Sequence, residues 1–504
     1  MMLRLLLAAV AGGGVTLALA PFEFFPLAFL SLATLAFLLG GAERTRSGFG
    51  LGLAWGLGVF GSGVSWLYIA LARYGGVPPP LAALAIGLCC AFLALYPALL
   101  GAAFVRLCRG PVRARLLPQS LCFAALWLLS EWLRGVLFTG FPWLAIGYSQ
   151  TPPSPLAGFL PLLGVYGVGG VVAWLAALLG LAWRQAGWRG LRLPLAAVAV
   201  ALLAGGGFAR VAWTTPVGEP LSVALVQTNV EQSLKWSPEH FAQVLQTNAR
   251  LVRDTAASLV VLPETTLPAL ADQLPAGYLE LLGDYARGNG GDLVLGVFTR
   301  DTEQRIYNAA ISLGASAGQS YAKQHLVPFG EYSPPLFGWF YRLVQIPMSD
   351  QTRGAADQAP MVFGQQRIAL NICYEDLFGA EIIRSLPEAT LLLNLSNLAW
   401  YGDSLAQPQH LQIARARALE TGRPMLRSTN TGMTAVVQPD GSVAAVLPAF
   451  EQGVLHAAVR GYQGLTPYAR WGDRAALLLA VLALALACLP LRRRAGREAG
   501  VSHS

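Results

Sequence analysis

The sequence contains little charge for its length. Of its 504 residues 12% are charged and 55% are hydrophobic, whereas a soluble globular chain carries about 25% charged residues. Acidic residues are nearly missing from residues 1–215 and 474–491. This composition excludes a wholly soluble protein and predicts several membrane spans, with one soluble domain inserted before the last span. The net charge of +8 comes mostly from arginines at the ends of apolar segments, so it does not indicate nucleic-acid binding.

Cysteine is scarce in the soluble region. Of six cysteines, only Cys373 lies there, and the others lie in or beside apolar segments: Cys89, Cys90, Cys108, Cys122 and Cys488. A single thiol cannot form a disulfide within its own domain, and no Cys/His spacing is typical of a zinc site. We therefore expect no metal and no cofactor, and Cys373 is a candidate nucleophile.

Eight apolar segments approach the roughly 20 residues that a membrane helix needs. They lie at residues 3–20, 24–40, 48–72, 80–105, 116–138, 156–183, 193–210 and 474–491. We expect a membrane domain of seven helices at 1–212, a soluble domain at 213–472, and a last membrane helix with a basic tail at 473–504.

Arginine is concentrated in alternate loops between these segments. The positive-inside rule then places both termini in the cytoplasm and residues 211–473 on the opposite side. The arginines that decide this orientation are Arg44, Arg46, Arg106, Arg109, Arg113, Arg115, Arg184, Arg189, Arg192, Arg492, Arg493, Arg494 and Arg497.

The predicted spans contain a candidate ion pair and a candidate helix break. Glu131 and Arg134 are one helical turn apart and are expected to pair, either as a structural pair or as a functional one. The run Gly-Phe-Pro-Trp at residues 140–143 predicts a break in the helix near the membrane surface.

From residue 221 the pattern changes to short β-rich runs that alternate with amphipathic helices. This alternation predicts a layered α/β domain. Helices are expected from Ser237-Pro238 onward, at 377–386 and at 404–420. Strands are expected at 221–226, 258–262, 292–298, 309–313, 321–327, 368–372, 390–395 and 433–438.

The stretch 368–376 is the centre of the domain's pattern. A buried strand ends abruptly at Cys373, and Asp376 then opens the predicted helix. Ligand sites of open α/β sheets lie at such strand ends. The positive N-terminus of a helix at 377–386 is expected to favour the thiolate of Cys373. The alternative is a buried structural cysteine, since free cysteine is among the most buried residue types.

Two further polar residues lie where this sheet would expose them. Glu264 ends the strand at 258–262, and Lys323 lies within the strand at 321–327. A thiol needs a base to become a nucleophile, and a carboxylate in an apolar pocket can be that base. A lysine held nearby can stabilise the oxyanion that forms when sulfur attacks a carbonyl. The three residues therefore predict a joint cysteine-nucleophile site.

The motifs that carry these residues resemble a known family. Glu, Lys and Cys occur in the order "LPET", "YAKQHLVPFGEY" and "NICYED", which is similar to the nitrilase superfamily and implies an αββα sandwich. With about eight membrane helices around it, the chain resembles the membrane-embedded branch of that superfamily, the apolipoprotein N-acyltransferases. The likeness extends through "PFEFFPLAFL", "TGFPWLAIGYSQ", "VQTNVEQSLKW" and "NLAWYGDSLAQPQHLQIARARALETGRP".

The resemblance implies roles for individual residues. It implies that Glu264 is the general base, Lys323 the oxyanion-stabilising lysine and Cys373 the nucleophile. The supporting residues that it implies are Glu331, a second glutamate near the site, Tyr374 and Glu375, which support acyl-enzyme turnover, and Trp236, on the substrate approach.

The resemblance also implies a ping-pong acyl transfer in a bacterial inner membrane. Cys373 takes an acyl chain from a phospholipid, typically the first acyl position of phosphatidylethanolamine, as a thioester. The chain then passes to the α-amine of a diacylglyceryl-cysteine at the N-terminus of an apolipoprotein. The soluble domain is expected in the periplasm, and the protein is expected to be a monomer.

Other functions would use the same residues. A membrane-tethered amidase acting on a small soluble amide is the main alternative. The aromatic segment 336–344, with Phe337, Trp339 and Phe340, favours a lipid substrate, and Trp400 belongs to a possible second flap. A transporter with a non-catalytic sensory domain leaves Glu264 and Lys323 unexplained. A papain-like Cys–His pair is a third reading, and it would use His325 or His410 as the base.

Overall fold

The computed structural model describes residues 1–108, 112, 115–334 and 350–488. Its first part is a group of apolar helices, and a last apolar helix follows the soluble domain. Their bounds are Met2–Gly13, Val15–Ala18, Pro26–Gly40, Thr45–Gly63, Leu67–Ile69 with a π-helical turn at Ala70–Tyr74, Pro79–Leu107, Leu116–Val136, Leu160–Ala186, Arg192–Phe208 and Arg474–Cys488.

These helices coincide with the predicted apolar segments. Within the described residues, three helical stretches are long and apolar enough to cross a membrane, or four if the pair Thr45–Gly63 and Leu67–Tyr74, bent by 61°, forms one span. The stretch Pro155–Phe208 is one of these three, although it contains two of the predicted apolar segments. Three shorter apolar helices are Met2–Ala18, Pro26–Gly40 and Arg474–Cys488. The number of spans therefore stays a prediction.

The outer faces of the helices expose large apolar side chains such as Leu88, Leu99 and Leu203. A contiguous apolar surface of this kind needs a lipid or protein environment. The orientation in the membrane stays a prediction. Several arginines on which it rests lie outside the described residues: Arg109, Arg113, Arg492, Arg493, Arg494 and Arg497.

The helix that begins at Leu116 breaks where the sequence predicted. It ends at Val136, a 3₁₀ turn follows at Leu137–Thr139, and Gly140 has a φ of 84°. Arg134 donates to the carbonyls of Phe141 and Trp143 and lies 3.8 Å from Glu131. Since the guanidinium satisfies backbone carbonyls freed by the break, this pair has a structural explanation.

The soluble part is built from two β-sheets. Their strands are β1 (Thr215–Gln227), β2 (Leu259–Val261), β3 (Leu267–Leu270), β4 (Asp292–Arg300), β5 (Ile306–Gly314), β6 (Ser320–Ala322), β7 (Met361–Phe363), β8 (Gln366–Ile372), β9 (Leu391–Ser396), β10 (Met425–Thr429), β11 (Ala435–Val437), β12 (Val443–Val446) and β13 (Gly453–Gln463). The first sheet has the strand order β13-β1-β2-β4-β5-β6, with β3 paired to β4, and the second has the order β12-β11-β10-β9-β8-β7.

Side-chain alternation explains how the sheets stack. In β8, Ile368, Leu370 and Ile372 point into the core between the sheets, whereas Ala369 packs against the outer helices. Strand β1 alternates in the same way, with Val223 and Leu225 in the inner core. Successive strand residues point to opposite faces, so strands apolar on both faces belong to a sheet covered on both sides.

Helices cover the two outer faces. Phe241–Arg253 and Tyr278–Gly288 pack on the first sheet, and Gly379–Ile382 and Ala406–Thr421 pack on the second. Short helices at Gln232–Lys235 and Pro467–Trp471 complete the domain. The result is an αββα sandwich, which confirms the layered α/β domain predicted from the residue pattern and the sandwich implied by the family resemblance.

Three local predictions are wrong. In place of one helix at 377–386, a 3₁₀ turn spans Cys373–Leu377, and a short helix Gly379–Ile382 and a 3₁₀ turn Ile383–Ser385 follow. Strand β6 ends at Ala322, so Lys323 lies just beyond it. The helix expected from Ser237-Pro238 begins at Phe241.

Candidate active site

Glu264, Lys323 and Cys373 lie at ends of three strands at the same edge of the sandwich. Glu264 follows β2, Lys323 follows β6, and Cys373 follows β8. The Nζ of Lys323 is 3.3 Å from Oε1 of Glu264. The charges of both residues act on the Cys373 thiol. Glu264 and Lys323 follow strands of the same sheet and are 59 residues apart along the chain. Cys373 follows a strand of the other sheet, so the fold brings the three side chains together from both sheets.

The carboxylate of Glu264 is held by two asparagines. The backbone N–H of Asn397 donates to Oε2 at 2.8 Å, and the side-chain amide of Asn308 donates to Oε1 at 2.9 Å. Glu264 is 5% exposed. A buried carboxylate fixed on both oxygens has one preferred orientation, and Oε1 then faces Lys323.

Lys323 is fully buried and lies between two carboxylates. Its Nζ is 2.6 Å from Oε1 of Glu331, and Oε2 of Glu331 accepts from the N–H of Val327 at 2.8 Å. Burial lowers the pKa of Lys323, but Glu331 and Glu264 raise it more, so the pKa lies well above its ordinary value. The ammonium therefore stays charged in the resting protein. For Glu331, which is an acid, burial instead raises the pKa, although the charge of Lys323 lowers it.

Cys373 has a strained backbone. Its φ is 55°, in the left-handed region that residues other than glycine rarely adopt. Its carbonyl accepts from the amide of Asn394 at 3.2 Å and lies 3.2 Å from Nε2 of His410. These two contacts hold the left-handed conformation, which lifts the residue out of the line of β8.

The Cys373 thiol is neutral at rest, contrary to the prediction. Burial raises its pKa well above the ordinary value, Glu264 raises it further, and Lys323 lowers it. The expected thiolate depended on a helix at 377–386, and the 3₁₀ turn that replaces it carries no comparable dipole. A neutral thiol needs a base, and among the carboxylates whose charges act on the thiol, which are Glu264, Glu331 and Asp376, Glu264 has the largest effect.

Glu375 connects the Cys373 turn to the Lys323 segment. Its Oε1 accepts from the N–H groups of Gln324 and His325, at 2.6 and 3.0 Å. Its Oε2 accepts from the Tyr321 hydroxyl at 3.0 Å and from the N–H of Ile372. Burial raises the pKa of Glu375 to about 7. With four donors around it, Glu375 fixes the position of the lysine segment relative to the end of β8.

Tyr374 joins the sandwich to the membrane half. Its hydroxyl donates to the carbonyl of Gly140 at 2.9 Å, at the break in the membrane helix. Trp143, three residues further on, donates to Oε1 of Gln409 at 2.8 Å. A second break lies in the helix Leu160–Ala186 at Gly164, which has a φ of 65°. There Glu420 accepts from the N–H of Val165 at 2.7 Å. The edge with the three side chains therefore faces the membrane helices.

The two histidines considered as bases are engaged elsewhere. His325 lies 3.1 Å from Glu381 and 2.9 Å from the carbonyl of Thr139 through its two ring nitrogens. His410 contacts Asp376 at 2.7 Å through Nε2, and Arg427 lies 3.0 Å from its Nδ1. Burial and Arg427 lower the pKa of His410, although Asp376 raises it. His410 therefore contacts the Cys373 carbonyl as a neutral donor.

The predicted substrate-contacting residues have separate environments. The ring centroid of Trp236 lies 6.0 Å from that of Phe298. The ring centroid of Trp400 lies 6.1 Å from that of Tyr74, in the membrane half. Phe337, Trp339 and Phe340 lie outside the described residues.

Several polar residues at the site were not predicted. Lys235 is buried, and its Nζ donates to the Thr265 hydroxyl at 2.7 Å and contacts the carbonyl of Glu264 at 3.4 Å. Burial lowers the pKa of Lys235 to about 7, although Glu264 raises it. Of the polar residues that were missed, Asn394 and Asn397 could have been recognised from the sequence, because both interrupt an otherwise apolar strand end. Within the described residues, no cluster of three or more His, Cys, Asp or Glu is arranged to hold a metal ion.

Comparison with known proteins agrees with this architecture. Residues 222–468 match the carbon-nitrogen hydrolase family, and residues 11–178 match the apolipoprotein N-acyltransferase N-terminal domain. Among solved structures, an amidase from Nesterenkonia AN1 of the nitrilase superfamily is 21% identical with a TM-score of 0.37, and the alignment covers 52% of this chain and 97% of the amidase. The two family matches thus divide the chain into an N-terminal part typical of apolipoprotein N-acyltransferases and a carbon-nitrogen hydrolase domain.

Full-length relatives are more specific. Apolipoprotein N-acyltransferase of Nitrosomonas europaea is 45% identical over 98% of this chain and 98% of the relative. The proteins of that name from Ralstonia nicotianae and Chromobacterium violaceum are 47% and 45% identical, over 97% and 99% of this chain and 94% and 96% of the relatives. The chain belongs to the apolipoprotein N-acyltransferase family.

Proposed function

We propose that this membrane enzyme moves a fatty acyl chain from a phospholipid to the N-terminal amine of an apolipoprotein through a thioester on Cys373. The observation that carries the proposal is the buried contact of Lys323 with Glu264, 3.3 Å apart, beside the Cys373 thiol. Lys323 and Cys373 have the protonation states that their roles require. The ammonium is charged and the thiol is neutral.

The first half-reaction forms the thioester. Glu264 takes the proton from Cys373 as the sulfur attacks the ester carbonyl of the phospholipid. The charged Lys323 stabilises the oxyanion. The carbon–oxygen bond of the ester then breaks, and the lysophospholipid oxygen leaves with the proton from Glu264. The donor that we propose is phosphatidylethanolamine, cleaved at its first acyl position.

The second half-reaction forms an amide. The free α-amine of the diacylglyceryl-cysteine attacks the thioester carbonyl, and Glu264 accepts a proton from the nitrogen. The carbon–sulfur bond breaks, and the sulfur of Cys373 recovers a proton. Glu331 holds Lys323 in place during both steps, and Tyr374 and Glu375 hold the nucleophile turn against the membrane half and the lysine segment.

The position of the site beside the membrane helices suits two lipid-anchored substrates. Because exposing an acyl chain to water costs about 0.8 kcal/mol per CH₂, a site at the membrane surface avoids extracting either substrate completely. We further propose that the sandwich faces the periplasm and that both termini are cytoplasmic, as the arginine distribution indicates.

The decisive experiment is the intact mass of the protein purified from membranes. The wild-type chain should carry the mass of one fatty acyl group, removable with neutral hydroxylamine, and Cys373→Ser should lack the thioester. Glu264→Gln should also lack it, because the thiol then has no base. An acyl mass that persists in Cys373→Ala would refute the assignment of the nucleophile.

A further inference from the structure

The sequence contains only two lysines, and both of them contact Glu264. Of the 35 lysines and arginines in the chain, all the others are arginines. Lys323 lies 3.3 Å from the Glu264 carboxylate. Lys235 contacts the same residue at its backbone, with Nζ 3.4 Å from the Glu264 carbonyl. The proposed mechanism assigns a role to Lys323 and leaves Lys235 without one.

Among the described residues, Lys235 is buried without a carboxylate in direct contact. It ends the short helix Gln232–Lys235 and is 2% exposed. Its Nζ contacts two uncharged oxygens, the Thr265 hydroxyl at 2.7 Å and the Glu264 carbonyl. The nearby charge that acts on it is that of Glu264, which raises its pKa against the effect of burial. A buried ammonium costs more free energy than a neutral donor in the same place, so its charge requires an explanation.

The turn that Lys235 contacts is strained and closely packed. Thr265, directly after Glu264, has a φ of 45°, a region that β-branched residues rarely adopt. At the next residue, the side-chain amide of Asn248 donates to the Thr266 carbonyl at 3.2 Å. A Cβ atom on Gly296 would lie 2.7 Å from Cα of Glu264, so the neighbouring strand touches this backbone. These contacts fix the Glu264 backbone, and the ammonium of Lys235 therefore acts on the carboxylate from a fixed position.

Glu264 lies among charges of both signs. The titratable groups that act on it are Lys323, Glu331, Cys373, Tyr401 and Lys235. Glu331 opposes the ionised form of Glu264 and also takes the closer contact with Lys323, at 2.6 Å. A second ammonium offsets this repulsion, because an opposite charge nearby favours the ionised form of a carboxylate.

We infer that Lys235 is a positioning residue that keeps Glu264 ionised, so that Glu264 can take the proton of Cys373. This inference rests on the proposed function, in which Glu264 is the base. Lys235 acts through Glu264 and exchanges no proton with the substrate. Such a role predicts a loss of rate that depends on pH, whereas a purely structural role predicts the same loss at every pH.

The test is the pH dependence of thioester formation in single turnovers of the full-length enzyme. Lys235→Met removes the charge and keeps nearly the same side-chain length, and Lys235→Arg keeps the charge. Each variant is measured with phospholipid and with a short-chain, water-soluble ester. Arg253→Met is the matched control, because Arg253 is an exposed cation of the same domain that pairs with Asp254 at 2.8 Å.

In Lys235→Met the acid limb of the pH–rate profile should move to higher pH by about one unit, so that the rate on that limb falls about tenfold. Above the limb the variant should reach at least the wild-type rate, because Glu264 is then ionised in both enzymes. Lys235→Arg and Arg253→Met should keep the acid limb of the wild type. The melting temperature of Lys235→Met should not fall, because an apolar side chain replaces a buried charge.

An equal loss of rate at every pH in Lys235→Met would overturn the inference, and so would an unchanged profile or a shift that Lys235→Arg shares. If Lys235→Met did not fold, Lys235→Gln would replace it with the same expected shift, since an amide donates without a charge. If the wild type formed no thioester from phospholipid but was acylated by the soluble ester, the proposed function would fail. The pH shift measured with that ester would still decide the role of Lys235.

Discussion

The ammonium of Lys323 lies 2.6 Å from Oε1 of Glu331, closer than it lies to Glu264 at 3.3 Å. Glu331 is itself anchored by the N–H of Val327. In the proposed mechanism, the carboxylate that takes no proton is therefore the one that lies closest to the lysine. Lys323 shares its charge between the two carboxylates, so Glu264 is not its only partner.

Replacing Glu331 by Gln should slow thioester formation by about 100-fold, a typical loss when a catalytic base is impaired. Without the second carboxylate, Lys323 should pair more tightly with Glu264 and make it a weaker base. The measurement is the rate of acyl-enzyme formation in a single turnover. Glu303→Gln is the control, because Glu303 is an exposed carboxylate paired only loosely with Arg305. A rate near that of the wild type would show that Glu331 has no part in positioning Lys323.

The pKa of the Cys373 thiol gives a prediction with opposite signs in two assays. Glu264 raises this pKa, so Glu264→Gln should lower it and increase the thiolate fraction at any pH below the wild-type value. Alkylation of Cys373 by iodoacetamide, followed by peptide mass spectrometry, should then begin at lower pH than in the wild type. Thioester formation from phospholipid should nevertheless be lost.

If Glu264→Gln instead moved the alkylation profile to higher pH, the carboxylate would be activating the thiol in the resting enzyme. The neutral resting state proposed here would then be wrong. Glu303→Gln is again the matched control and should leave the profile unchanged.

His410 should act on the rate through position and not through proton transfer. It lies 3.2 Å from the Cys373 carbonyl and is neutral between Asp376 and Arg427. His410→Gln should therefore lower the rate of thioester formation and the melting temperature but leave the shape of the pH–rate profile unchanged. Disappearance of one limb of that profile would support the papain-like Cys–His alternative.

The sequence predicted those parts of the fold that depend on local apolar patterns. Strands such as β8 and β9 are recognisable because their residues are buried on both faces. The turn after β8 was not predictable, because the left-handed conformation of Cys373 is imposed by Asn394 and His410 from other elements. The predicted helix at 377–386 is interrupted at Phe378, whose φ of −106° and ψ of 77° are not helical. The thiolate that this helix was expected to stabilise therefore lost its basis.

The polar contacts of the site depend on distances along the chain that no local pattern reveals. Glu264 is contacted by Asn308 from 44 residues away and by Asn397 from 133 residues away. Lys235 reaches it from 29 residues before. The candidate catalytic residues could be named because each carries distinctive chemistry at a strand end. Asn308 and Lys235 could not, since neither residue interrupts its local pattern as Asn397 interrupts an apolar strand end.

The proposed orientation can be tested with two single cysteines on exposed residues. In a background with all six natural cysteines replaced, Ala317→Cys lies on the sandwich and Glu43→Cys on the loop between the helices Pro26–Gly40 and Thr45–Gly63. Ser316 is less suitable than Ala317, because its hydroxyl bonds to Asp292 at 2.7 Å. A membrane-impermeant maleimide should label position 317 in spheroplasts and position 43 only after lysis. The reverse pattern would place the sandwich in the cytoplasm and remove periplasmic apolipoproteins as substrates.

The last prediction separates acyl transfer from amide hydrolysis, and it rests on the aromatic sequence after Glu331. If Trp339 and Phe340 bind acyl chains, each contributes about 1.5–3 kcal/mol of apolar burial. Replacing both by Ala should then weaken phospholipid capture by tens-fold or more. Thioester formation in micelles should become slow and should depend strongly on lipid concentration.

Chemistry at Cys373 should survive this double replacement, because neither aromatic residue takes part in proton transfer or oxyanion stabilisation. A short-chain, water-soluble ester should therefore acylate the variant at nearly the wild-type rate. Loss of activity toward both substrates would mean that the aromatic segment supports the fold. If neither activity changed, the segment would have no part in lipid binding, and a small soluble amide would become a credible substrate for the same three residues.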